Sequence, residues 1–214
     1  MRASLVETQR GNAKVGCLIA AGVVVLLILI VAMTLVGRYN AIVGLQEKTE
    51  AAWSEIDNQY KRRFDLVPQL VNTVKGAAEF ERSTLEAVTE ARASVGRMQL
   101  PPGLPSDPAK LQAYMQAQQG LGAALGRLFA VSEQYPQLKA TQNFLGLQDQ
   151  LEGTENRIAV ARRDYIDAVR QYNTTIRRFP SNFVAGWFGF EKVPQMEVPA
   201  EERETPQVEF DFDQ

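Results

Sequence analysis

The 214 residues include no histidine and a single cysteine, Cys17. Histidine is the general base that most enzymes use near neutral pH and a common metal ligand. Without it, this chain alone cannot build Ser-His-Asp or Cys-His hydrolases, HExxH zinc sites or haem ligation through histidine. One cysteine excludes an intrachain disulfide, and its place at the edge of an apolar stretch marks a packed, inert thiol. An excess of basic charge is missing as well. Residues 38–196 carry 19 basic and 17 acidic side chains, whereas a nucleic-acid footprint needs a strong basic excess on one face. Strand signals are nearly absent before the tail, so an all-α fold is expected.

Hydrophobic residues make up 45% of the chain, yet its mean hydropathy is −0.19, so the apolar content is concentrated locally. From Gly16 to Gly37 the run GCLIAAGVVVLLILIVAMTLVG has no charge. It is long enough to cross ~30 Å of hydrocarbon at ~1.5 Å per residue. The anchor is assigned to residues 15–37, with the lipid bilayer as its partner. Its downstream end has no A-x-A cleavage pattern, which predicts an uncleaved anchor. Cys17 opens the run, whereas a lipoprotein cysteine follows one, so lipidation is not expected. Arg2, Arg10 and Lys14 precede the run and Arg38 alone closely follows it, which places the N-terminus in the cytoplasm. Residues 1–14 are then a short cytoplasmic segment, and the bulk of the chain lies on the other side.

Beyond the anchor, residues 38–179 read as a helical-bundle domain. Trp53, Ile56, Tyr60, Val67, Leu70, Val74 and Ala77 step by threes, fours and one seven, flanked by Phe64, Val71, Ala78, Leu85 and Val88. This stripe predicts one long amphipathic helix, kinked rather than reversed at Pro68. The Pro-rich segment 100–108 is a loop, and Asp107 followed by Pro108 starts the next helix. That helix buries Leu111, Tyr114 or Met115, Leu121, Leu125, Leu128 and Phe129, and ends near Tyr135-Pro136. Then Phe144, Leu151, Ile158, Tyr165, Tyr172 and Phe179 recur every seven residues, with Leu147, Thr154, Ala161, Ala168 and Thr175 between them. That repeat predicts coiled-coil packing around an aromatic core stripe.

Candidate chemistry is sparse. Gly120, Gly122 and Gly126 have the wrong spacing for a dinucleotide loop and follow no strand, so they read as sites of close helix packing. Lys61-Arg62-Arg63, Arg162-Arg163 and Arg177-Arg178 read as solvated helix faces. Glu152 and Glu155 have no cleft nearby in sequence to separate their pKa values as an acid/base pair needs. No catalytic residue, cofactor or metal ligand is assigned.

Residues 180–196 form an aromatic segment in which Phe183, Trp187, Phe188 and Phe190 require cover. That cover is the bundle itself, another subunit or a membrane surface. The acidic tail, 197–214, alternates Val208, Phe210 and Phe212 with acidic residues, the pattern of a strand with one apolar face. With no sheet in this chain to receive it, the tail is expected to order only against another chain.

Several motifs follow one another in a familiar order. They are Tyr39-Asn40, AWSEIDNQYKRRFDLVPQLVNTVKG from Ala52 to Gly76, EQYPQLKA from Glu133 to Ala140, LEGTENRIAVARRDY from Leu151 to Tyr165, Tyr172-Asn173 and Phe179-Pro180. Together they resemble the LemA family of bacterial membrane proteins, from the anchor to Phe190. The resemblance implies a single-pass protein of the bacterial inner membrane whose body is an antiparallel helical bundle. It brings no catalytic residue, and its leads to partners are a membrane-bound protease, envelope stress and magnetosome membranes.

The combined expectation is one transmembrane helix followed by an antiparallel bundle of three to four long helices. Its function is that of a non-enzymatic scaffold or adaptor that forms a homo-oligomer or binds an envelope protein. The alternative is a membrane-shaping oligomer that contacts lipid through the aromatic segment. A reporter active only outside the cytoplasm, fused after Gln214, should be active, and a cytoplasm-only reporter there silent; the reverse result overturns the orientation.

Overall fold

A computed structural model describes residues 5–76, 80–98, 100–101 and 103–196, with backbone alone for 5–15. The described residues form six helices and no strand: α1 (Leu5–Lys75), α2 (Arg82–Arg97), α3 (Pro108–Ser132), α4 (Pro136–Lys139), α5 (Gln142–Arg177) and α6 (Ser181–Phe188). They divide into two compact units. One holds 47–171 and 193–196, the other 5–46 and 172–192. Two of the three boundaries, at 46/47 and 171/172, fall inside the stretch 38–179 that the sequence presents as a single domain, and the third lies at 192/193.

In the larger unit, cross-helix contacts fix the direction of each helix. Trp53 stacks on Tyr165, Arg63 pairs with Glu155 and Lys48 reaches Gln171, so α1 and α5 are antiparallel. Tyr60 meets Tyr114 and Arg63 meets Gln118, so α1 and α3 run the same way. Phe64 touches Arg92 and Gly96, which sets α2 antiparallel to α1. The result is an up-down-up-down four-helix bundle. At its closed end Phe80, between α1 and α2, packs its ring 5.0 Å from that of Tyr135, between α3 and α4.

The chain reverses between Gly76 and Glu81, and not at Pro68. α1 runs through Pro68 to Lys75. A proline inside a helix costs about 3 kcal/mol, partly because it cannot bond the carbonyl four residues back. Here that carbonyl belongs to Phe64, and the Arg92 Nε–H donates to it at 3.2 Å. The same guanidinium lies 3.8 Å over the Phe64 ring, a cation–π contact. α2 therefore satisfies the group that Pro68 leaves open. The expectation of one helix carrying the stripe through Leu85 and Val88 is corrected accordingly. Those two residues are buried on α2, and Ala77 and Ala78 lie outside the described residues. Gly76 marks the stop: a Cβ there would meet the Thr73 carbonyl at 3.3 Å.

α3 starts as its sequence signature indicates. The Asp107 carboxylate accepts from the backbone N–H groups of Ala109 and Lys110, with Pro108 in the first turn. Beyond the aromatic contacts of Trp53, Tyr60, Tyr114 and Tyr165, the core is mainly aliphatic, with Phe80 and Phe144 among its members. Val67, Leu70 and Val74 of α1 join Val88 of α2, Leu121 and Leu128 of α3, and Phe144 and Leu151 of α5. α5 buries its seven-residue series through Tyr172, but Phe179 lies beyond the end of the helix and is 80% exposed. The repeat ends because Phe179-Pro180 leaves the helical path, so Phe179 is not a core position.

The smaller unit contains the apolar run. Residues 16–33 are wholly exposed within the chain, and the segment is long and apolar enough to cross a membrane. A helix from a soluble core would be covered by its own chain. Ile42, Tyr172, Ile176, Val184 and Ala185 are the buried apolar side chains of this unit. Gly189 ends α6 in the left-handed conformation at φ 75°, which suits glycine.

Spin labels at Lys61 and Arg97 should lie within about 20 Å of each other, as on neighbouring helices. A helix unbroken from one site to the other would instead place them ~54 Å apart, which double electron–electron resonance would distinguish.

Candidate functional site

Buried positions on two helices of the larger unit follow three-and-four spacing. On α1 they are Trp53, Ile56, Tyr60, Arg63, Val67, Leu70 and Val74, and on α3 they are Leu111, Tyr114, Gln118, Leu121, Leu125, Leu128 and Ser132. Arg63 and Gln118 occupy slots where the pattern calls for an apolar side chain. They meet each other in the core. Arg63 Nη2 donates to the Gln118 Oε1 at 2.7 Å and to the Gln118 carbonyl at 2.9 Å. Arg63 Nη1 donates to Glu155 Oε2 of α5 at 2.6 Å.

The ion pair is lopsided. The Arg63 side chain is 3% exposed and that of Glu155 57%, so the carboxylate stays largely in water while the cation is desolvated. A buried charge is tolerated only when paired and hydrogen-bonded. Three strong acceptor contacts meet most of that demand, although the Arg63 Nε remains without a partner. A Cβ on Gly122 would stand 3.4 Å from Arg63 Nη1, in van der Waals contact. Gly120 and Gly126 face open space, so only Gly122 of the three glycines is a close approach.

A phenol ring lies beside the cation. The guanidinium lies 5.2 Å from the Tyr60 ring centre, and the Tyr60 hydroxyl donates to Met115 Sδ at 3.6 Å. Burial pushes the Tyr60 pKa up despite the opposing charges of Arg162 and Arg63, and Glu155 adds to the rise. Burial also raises Tyr114 above the usual phenol range. Both phenols therefore stay protonated at neutral pH. The arrangement ties α1 to α3 and α5 through hydrogen bonds of fixed direction.

The structure revises the reading of one basic cluster. Lys61, Arg62, Arg163, Arg177 and Arg178 are exposed, as solvated faces should be, but Arg63 belongs to the core. Its signal was the seven-residue gap between Tyr60 and Val67, the slot of a missing apolar residue. Glu152 and Glu155 serve separate contacts, Glu152 with Gln148 and Glu155 with Arg63, so they are not an acid/base pair. Among the described residues no group of three or more Asp, Glu or Cys side chains is placed to hold a metal ion.

The aromatic residues singled out in sequence lie in the smaller unit. Phe183, Trp187 and Phe188 are exposed on α6, and Phe190 is half-buried. Phe188 and Phe190 pack their rings 4.8 Å and 5.7 Å from Tyr39. Val208, Phe210 and Phe212 lie outside the described residues.

The LemA family profile matches residues 52–210. Magnetosome protein MamQ 2 of Paramagnetospirillum magneticum is 31% identical over 74% of this chain and 64% of its own length. Magnetosome protein MamQ of Magnetospirillum gryphiswaldense is 29% identical over 94% of this chain and 80% of its own. Protein LemA of Metamycoplasma hominis is 28% identical over 70% of this chain and 64% of its own. The chain thus spans just under two thirds of the Paramagnetospirillum protein.

Replacing Arg63 by methionine leaves the buried Gln118 amide unsatisfied and should cost about 1–3 kcal/mol. Adding Gln118→Leu should recover most of that loss, because an apolar replacement of a buried polar pair is often neutral. Denaturation of the intact chain in mild detergent, followed by circular dichroism, would measure both. Strictly additive losses would show that the two side chains are not coupled.

Proposed function

This chain belongs to the LemA family, and from that premise we propose that it is a membrane-anchored scaffold or adaptor of the bacterial envelope. The apolar run of α1 is its seat in the bilayer, with the N-terminus in the cytoplasm. The four-helix bundle is its working surface, binding further copies of itself or a second envelope protein. The observation that carries this reading is the run from Gly16 to Gly37, uncovered by any other part of the described chain, at the head of the helix that supplies the first member of the bundle.

Three further points support it. The relatives bear the names of magnetosome proteins and of LemA itself, and none bears the name of an enzyme. The polar groups in the bundle core are committed to one another, as structural groups are. The chain also has no histidine with which to build the commonest catalytic centres.

The intact protein, purified in mild detergent after cross-linking in the membrane, should emerge as an oligomer or with a stoichiometric membrane-protein partner. A strictly monomeric, partnerless protein would refute the scaffold. So would a turnover activity abolished by a single side-chain change.

A further inference from the structure

α6 is apolar on two faces. Val184 and Ala185 are buried within its own unit, while Phe183 and Trp187, one turn apart, are 64% and 81% exposed. The exposed side extends in both directions. The Phe179 ring lies edge-on to Phe183 at 5.9 Å, and Phe188 lies 6.4 Å from Trp187. A short helix with a solvent-facing ridge of three phenylalanines and a tryptophan has an uncovered surface of the kind that marks an interaction site.

Its neighbour in the same unit indicates what covers it. Tyr39 stands two residues beyond the uncharged run, ~3 Å along the helix. The polar layer on each side of a bilayer is roughly 5–8 Å thick, so a run that fills the hydrocarbon leaves Tyr39 among the headgroups. Phe188 and Phe190 pack against that ring, and the left-handed Gly189 turns the chain back towards it. The surrounding charge has the matching sign. Arg38, Arg177, Arg178 and Lys192 are exposed, against Glu191 as the one acid of residues 172–192.

We propose that α6 is an interfacial helix, seated in the headgroup layer of the bilayer that α1 crosses, with Phe179, Phe183, Trp187 and Phe188 in contact with lipid. Aromatic rings with a polar edge prefer this depth, and a helix lying in the interface buries its apolar side at the boundary between headgroups and acyl chains. The chain then meets the membrane twice, once through α1 and once through α6. This inference rests on α1 being the membrane anchor, and its test must separate the two claims.

The full chain is reconstituted into vesicles of phosphatidylcholine and phosphatidylglycerol, and Trp187 is read as the difference between the native protein and Trp187→Phe, which leaves Trp53 in place. Lipids brominated near the top of the acyl chain should remove about half or more of the Trp187 emission, and those brominated near the chain end less. Aqueous iodide should quench it weakly. In the Trp187→Phe background, Leu26→Trp reports on the anchor and should be quenched best by the deep label. Strong iodide quenching of Trp187 with no effect of bromolipid overturns the proposal. Protection from both quenchers also overturns it, because a second copy or another protein then covers the ridge. If Leu26→Trp is quenched deeply in either case, the anchor stands while the interfacial helix falls. If it is not, the anchor is what failed.

Discussion

The fold of the larger unit depends on a guanidinium placed where a leucine would ordinarily sit. Arg63 is desolvated on α1, and its hydrogen bonds run to α3 and α5. Apolar layers tolerate sliding and repacking, but a buried cation has few acceptors and fixed directions in which to find them. Shifting α3 or α5 by one turn would strand the charge at a cost of several kcal/mol. The aliphatic layers on one side and the aromatic layers on the other supply most of the burial. Arg63 selects among the registers in which that burial could occur. Gly122 borders the same site, where an added Cβ would stand in van der Waals contact with the guanidinium.

Much of this was legible in the sequence because the forces involved are local. An uncharged apolar run, an Asp-Pro helix start and a seven-residue repeat each leave a mark within a few turns of chain. The reversal at Gly76 was harder to read because the apolar stripe keeps helical spacing on both sides of it: Leu85 and Val88 continue the count from Val74 although they sit on another helix. Only Lys75-Gly76, a basic last turn followed by glycine, marks the stop. Pro68 was read as no reversal, and α1 does run through it, its cost offset by a residue far along the chain. Arg63 sat among three basic residues and took their character by association, although its place in the three-and-four count pointed inward. Phe179 kept the seven-residue count one step after the helix had ended.

The tyrosines of α5 have a second role that periodicity does not encode. Within the smaller unit the Tyr172 hydroxyl donates to the Glu191 carbonyl at 3.0 Å. Within the larger, Tyr165 is aimed at the Pro194 carbonyl at 3.4 Å. Phenylalanine would fill the same volume, but the phenol oxygen gives the chain after α6 a hydrogen-bond donor. Burial raises the pKa of both phenols, so the donors persist at neutral pH.

The carbonyl freed by Pro68 has a consequence for the order of events on the ribosome. Its acceptor need is met by Arg92, 28 residues later in the chain. At typical rates of synthesis that interval is roughly 1–6 s. The longest helix among the described residues thus has the carbonyl that Pro68 frees satisfied by a residue translated after it.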